Sequence, residues 1–292
     1  MDQAEKLRTL IRKTNIEETE QSKQDPNFPR VIAITSGKGG VGKSNLAVNV
    51  AICIARYGKR VIIIDADLGL ANVEVLMGIS PKYSFKDAIM QDVSFMDALT
   101  RGPLGVMFLS GGSAFTEFAD ISDAHMAKIT RSFYDLGKEA DVIILDTGAG
   151  ISRSVTNFLR ASNEVIVVTT SDPTSVTDAY ALIKLCAENS IGASVFNVIV
   201  NLVEDSNEGK RVYERLKQVC SKFLNIEIRL LGIVLRDKYL ARAVKEQEPV
   251  AISYPDSSSS RDIEKIARRL IDEPDVPKTG LKNFIDRLMG KI

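Results

Sequence analysis

From Arg30 onward the chain alternates short unbroken apolar runs with longer segments whose apolar residues recur every three or four positions. The runs Val31–Thr35, Val61–Asp65, Gly105–Leu109, Asp141–Asp146, Glu164–Thr169, Ala193–Val200 and Arg229–Val234 read as strands. Most are continuous rather than alternating, as expected of strands covered by helices on both faces. Asn45–Ala55, Ala124–Leu136, Ser175–Glu188 and Gly209–Phe223 carry helical periodicity, and the serines 257–260 read as the cap of a helix Arg261–Ile271. Strand and helix alternating at this density predict an α/β domain over residues 30–276. Its core is a single doubly wound, mostly parallel sheet with helices on both faces.

Two segments fall outside that pattern. In residues 1–29, Ala4, Leu7, Leu10 and Ile11 recur at helical spacing, and a polar, acidic linker follows. By composition alone such an arm is a plain tail. Residues 277–292 follow a proline-rich break, and there Leu281, Phe284, Ile285, Leu288, Met289 and Ile292 share an arc of about 140° of a helical wheel. Lys282, Asp286, Arg287 and Lys291 lie opposite, the layout of a helix that rests in a membrane interface. A helix docked on the protein's own body weighs about evenly with that reading. One helix so short holds a membrane weakly, whereas two on a dimer would hold it far better.

Composition narrows the chemistry. Hydrophobic residues are 45% of 292, enough to bury a core, so disorder is excluded as the main state. Lys and Arg number 38 against 38 Asp and Glu, which argues against coating nucleic acid by bulk charge; no direct nucleic-acid binding is expected. The sequence has no apolar run long enough to cross a bilayer, and residues 1–5 lack the layout of a secretory signal, so a cytoplasmic location is expected. Cys53, Cys186 and Cys220 are far apart with no CxxC pair, which favours reduced core thiols. His125 is the single histidine, so multi-histidine metal sites are excluded.

Directly after the first strand, Ser36-Gly37-Lys38-Gly39-Gly40-Val41-Gly42-Lys43-Ser44 leads into a helix. Gly37, Gly42, Lys43 and Ser44 satisfy the P-loop pattern in its required strand-to-helix setting. Glycines let successive backbone N–H groups converge on phosphate oxygens at a helix N-terminus. Lys43 would reach the β- and γ-phosphates of ATP and Ser44 would ligate Mg2+. Two further strands end in acids, Asp65-Ala66-Asp67 and Asp146-Thr147-Gly148-Ala149-Gly150, where ligands of doubly wound sheets bind. Asp146 is placed to hold Mg2+.

The form Lys-Gly-Gly-Val-Gly-Lys-Ser resembles the deviant Walker A ATPases of the MinD/ParA group. That resemblance implies an ATP-bridged homodimer in which Lys38 reaches the partner's nucleotide. It casts Asp67 as the residue that orients the attacking water and Asp65 as a second-shell magnesium contact. Asn201 would read the adenine ring, and the loop at Leu235 and Arg236 would close the base pocket. No arginine finger can be assigned, which implies a slow ATPase awaiting a partner. The paired cysteines of the nitrogenase iron protein and the CxxC of iron–sulfur scaffold relatives are absent.

The arm Asp2-Gln3-Ala4-Glu5-Lys6-Leu7-Arg8 resembles the activating element of the FlhG family (also called FleN or YlxH), MinD-like regulators of flagellar number and placement. Asp65–Asn72, Asp146–Ile151 and Asp172–Tyr180 also resemble FlhG more than cell-division MinD, although Asp172 stands where glutamate is expected. The resemblance implies that Asp2, Gln3, Ala4, Leu7 and Arg8 stimulate an FlhF-like GTPase and that the tail meets membrane lipids as an ATP dimer. Basal-body components and a flagellar transcription factor stay open as further partners. A MinD or partition ATPase, and an ATP-binding antagonist of a transcription factor that needs no turnover, are the alternatives.

Overall fold

The computed structural model describes residues 28–67, 72–91, 93–111, 132–133, 135–189, 191, 196–272 and 281–288. Among them one sheet is built from β1 (Arg30–Ser36), β2 (Val61–Ala66), β3 (Thr100–Arg101), β4 (Met107–Leu109), β5 (Val142–Ala149), β6 (Glu164–Thr169), β7 (Phe196–Val203) and β8 (Ile228–Leu235). Their order is β3-β4-β2-β5-β1-β6-β7-β8, and only the β3–β4 pairing is antiparallel. The helices are α1 (Lys43–Arg56), α2 (Asn72–Met77), α3 (Phe85–Met90), α4 (Phe95–Ala98), α5 (Arg153–Ala161), α6 (Pro173–Glu188), α7 (Ser206–Leu224), α8 (Lys238–Glu246), α9 (Val250–Ser253), α10 (Ser258–Asp272) and α11 (Leu281–Leu288).

The doubly wound reading holds. Strand β2 is buried at every position and so are all six residues of β6, which is why both read as unbroken apolar runs. One hydrophobic layer joins the sheet to α5, α6, α7 and α11, and the other joins it to α1, α8 and α10. Several strands differ from expectation: β3 was not foreseen, and β5 runs past Asp146 to Ala149. Strand β4 begins later than Gly105 because Pro103–Gly105 forms a 3-10 turn with Leu104 at φ 52°. Strand β7 continues to Val203, which carries Asn201 into the strand rather than leaving it in a turn. Helices α2 to α4 span six residues or fewer, too short to show a period, and Ser84 and Ser94 cap two of them. The expected helix Ala124–Leu136 falls largely outside the described residues.

The C-terminal helix is docked on the body, one of the two readings its apolar face allowed. In this conformation Phe284, Ile285 and Leu288 are buried in the same layer as α5, not presented to a lipid surface. The Phe284 ring lies 5.1 Å from that of Phe133 and 5.8 Å from that of Phe28. Each such side chain contributes roughly 1.5–3 kcal/mol when fully buried, before the cost of ordering the helix. The side chain of Leu281, the residues Met289 and Ile292, and the arm residues Asp2, Gln3, Ala4, Leu7 and Arg8 lie outside the described residues. Among the described residues no helix is long and apolar enough to cross a membrane.

Candidate functional site

The carboxyl ends of β1, β2 and β5 are neighbours, so the P-loop and both acidic loops meet at one rim of the sheet. The loop is tied down by its own backbone. Ser36 donates its hydroxyl to the Lys38 carbonyl at 2.6 Å, and Gly150 N–H donates to the Ser36 carbonyl at 2.9 Å. Thr147 donates to the Ile34 carbonyl, a second stitch between β5 and β1. Gly42, at the N-cap of α1, has φ 91°, which favours glycine, and a side chain there would meet Asn201 Nδ2 at 2.5 Å. Lys43 is buried at the start of α1 and Ser44 follows it.

Asp146 is wholly buried, and neither carboxylate oxygen has a hydrogen bond of ordinary geometry. Burial pushes its carboxyl up to about 7, with Asp65 adding to the rise, while the Ser44 hydroxyl and Lys43 act the other way. A buried carboxylate without partners, next to a serine and a lysine at a helix N-terminus, fits a divalent cation carried by a phosphate chain. The residues present therefore fit Mg2+.

Asp65, expected as a second-shell magnesium contact, accepts backbone amides around its loop. Its Oδ1 accepts from Asp67 N–H at 3.1 Å, and its Oδ2 accepts from Asn72 N–H at 3.1 Å and Val73 N–H at 3.3 Å. The carboxylate thus holds both ends of the loop between β2 and α2. Burial raises its carboxyl to about 6 and those amides pull it back. Asp67 stands beside the other acidic loop: a Cβ on Gly148 would lie 3.6 Å from its Oδ1.

Asn201 is buried in β7, donating Nδ2 to the Val41 carbonyl at 2.8 Å, while its Oδ1 is buried and unpartnered. A free acceptor beside the P-loop fits an exocyclic amino group such as that of adenine. Next to it a cavity of about 370 Å³ is lined by the P-loop residues Lys38, Gly39, Gly40 and Val41, by Thr170, Ser171 and Asp172, and by Leu202 and Arg236. Leu235 ends β8; Arg236 ion-pairs with Glu204 at 2.7 Å and donates its backbone N–H to the Val203 carbonyl. Leu202, at φ 58°, carries backbone strain at this rim.

Sequence reasoning left Asp172 without a role, yet it does two things. It caps α6 by accepting from Thr174 N–H, and with the Thr174 hydroxyl it holds Lys38 Nζ, each at 2.7 Å. The signal available in the sequence was its place just before Pro173, a helix-capping position. The pair is exposed, so it contributes little and leaves Lys38 able to move elsewhere. The cysteines are buried and free, as expected.

The ParA family, described as NUBPL iron-transfer P-loop NTPase, matches residues 27–271. This chain is a ParA/MinD-type P-loop NTPase. Among curated proteins it is 38% identical to the antiactivator FleN of Pseudomonas aeruginosa, over 89% of this chain and 93% of the relative. It is 34% identical to the flagellum site-determining protein YlxH of Helicobacter pylori, over 99% of this chain and 98% of the relative. These place it in the FleN/FlhG flagellar-regulator family. Of solved structures, MinD in the MinC:MinD complex of Aquifex aeolicus is similar at TM-score 0.68 and 26% identity, covering 86% of this chain and 99% of that one. Nucleotide binding belongs to this family of NTPases.

Proposed function

We propose that this chain is an ATP-dependent dimerising switch that sets flagellar number or placement at the inner face of the membrane. The observation that carries it is the unpartnered Asp146 carboxylate facing the P-loop, with Asp67 beside the adjoining loop. Lys43 and the P-loop amides take the phosphates, and Ser44 with Asp146 holds Mg2+. When bound, the cation would supply neutralisation of the phosphate charge. Asp67 orients the attacking water, Asn201 accepts from the adenine amino group, and Arg236 flanks the base. Lys38 leaves Asp172 and Thr174 for the nucleotide of a second copy. The arm Asp2–Arg8 acts on an FlhF-like GTPase, and α11 leaves the body to meet lipid.

Asp67→Ala should lower ATP turnover at least about 100-fold while the ATP dimer persists, read by phosphate release and by light scattering. Wild-type chain should sediment with anionic vesicles only with ATP, and Phe284→Ser should abolish the ATP-dependent part. Equal vesicle binding with ADP sinks the membrane reading.

A second reading is favoured by the similarity to FleN, an antiactivator: antagonism of a flagellar transcription factor by the ATP-bound chain without turnover. Cells carrying Asp67→Ala separate the two. Normal flagellar number would favour antagonism without hydrolysis, and altered number would favour the cycling switch.

A further inference from the structure

The point where the N-terminal arm enters the body and the point where α11 docks are the same place. Phe28, the first described residue after the arm, is 3% exposed, and its ring packs on Phe284 of α11. Phe284 in turn packs on Phe133, so three rings from three distant parts of the chain close one apolar site. Gly137 also lies close to Phe28, and a side chain there would come within 3.4 Å of its ring. Downstream, Arg30 N–H donates to the Asp141 carbonyl and Val31 N–H to Asn163 Oδ1 at 2.7 Å, so β1 is secured independently of α11. Phe28 is thus the one described residue between the arm and the fixed strand whose ring leans on the tail.

We infer that Phe28 and Phe284 couple the two ends of the chain, so that undocking α11 also loosens the root of the arm. The inference rests on reading arm and tail as the two outputs of the switch, and it adds that they are released together. The physical basis is shared burial: an apolar ring that loses its partner loses packing and gains access to water. Coupling of this kind is reciprocal, so disturbing Phe28 must ease the departure of α11 by the same factor. Helix α5, against which α11 packs, starts at Arg153, shortly after β5 ends at Ala149, so the docking site lies one helix away from that strand end.

The chain has no tryptophan, so Phe28→Trp in the full-length protein gives a single reporter at the arm root. Without nucleotide or lipid its emission should be that of a buried indole. Adding Leu288→Glu, whose charge cannot stay in the apolar site, forces α11 off while removing none of the three rings. The emission should then shift to the red and acrylamide quenching should rise. The reciprocal test is Phe28→Ala with trypsin: cleavage after Lys282 and Arg287 should speed up about tenfold, while cleavage after Arg160 and Arg268 stays slow. Phe28→Leu, which keeps most of the bulk, should fall between. Unchanged emission in the Leu288→Glu background overturns the coupling, as does faster cleavage at all four sites together, which would report general unfolding. Neither measurement involves lipid or a partner protein. Failure of the coupling is therefore distinct from failure of the membrane reading, which ATP-dependent vesicle binding tests.

Discussion

Asp146→Asn is expected to make the protein more stable and to make it inert. The wild-type carboxylate is fully buried with no hydrogen bond of ordinary geometry, an arrangement that costs stability whenever it is ionised. The amide keeps the shape and removes the charge, so the nucleotide- and metal-free variant should gain about 1–3 kcal/mol at pH 8, several degrees in a thermal melt. Turnover should fall at least about 100-fold, because a neutral amide holds Mg2+ poorly. The pH dependence has a definite sign. Asp146 and Asp65 titrate near 7 and 6 in the folded chain, raised by burial, against about 4 when unfolded. Their favourable contribution is complete below the unfolded value and is lost as pH rises through the folded values. The free wild-type chain should therefore lose stability from about pH 4 to pH 8 relative to Asp146→Asn, and Mg-ATP should erase most of that difference. A variant less stable than wild type at pH 8 would refute this account of Asp146.

Gly37→Ala is expected to damage the fold as well as nucleotide binding. A Cβ at Gly37 would lie 2.2 Å from the backbone carbon and oxygen of Asp178 in α6. Main-chain atoms inside a helix cannot swing aside, so either α6 or the P-loop must shift, at a cost of about 1–3 kcal/mol. Gly39 is the control, because a Cβ there meets nothing within 4 Å and its φ is ordinary. Thermal melts should show a large loss for Gly37→Ala and almost none for Gly39→Ala. Titration with a fluorescent ATP analogue should show at least about tenfold weaker binding for the first. Equal melting temperatures would mean that α6 yields freely.

These two residues also show what a sequence can and cannot display. The P-loop was legible because its chemistry is local: glycines, lysine and serine within nine consecutive positions, between a strand and a helix. The strands were legible because burial on both faces leaves unbroken apolar runs. The reason Gly37 must be glycine was not legible, since the obstacle is the backbone of a residue far along the chain. The same holds for Lys38 and Asp172, which are 134 positions apart. That Asp65 accepts the amides of Asp67 and Asn72 was not legible either, since a carboxylate at a strand end is compatible with many partners. The tail was ambiguous for a physical reason: one apolar face satisfies a bilayer and a protein core equally well. In the present conformation the core holds it.

The buried cysteines bear on what kind of signal the protein can receive. The thiols of Cys186 and Cys220 are pushed up to about 12 and about 11 by burial, and that of Cys53 is also driven upward. Thiolate is the form that reacts with peroxide or exchanges with disulfides, so at neutral pH these side chains are chemically silent. These three thiols therefore give the molecule no ready redox response. A cysteine added anywhere on its surface would be the most reactive thiol in the chain, open to labelling without replacing the native three.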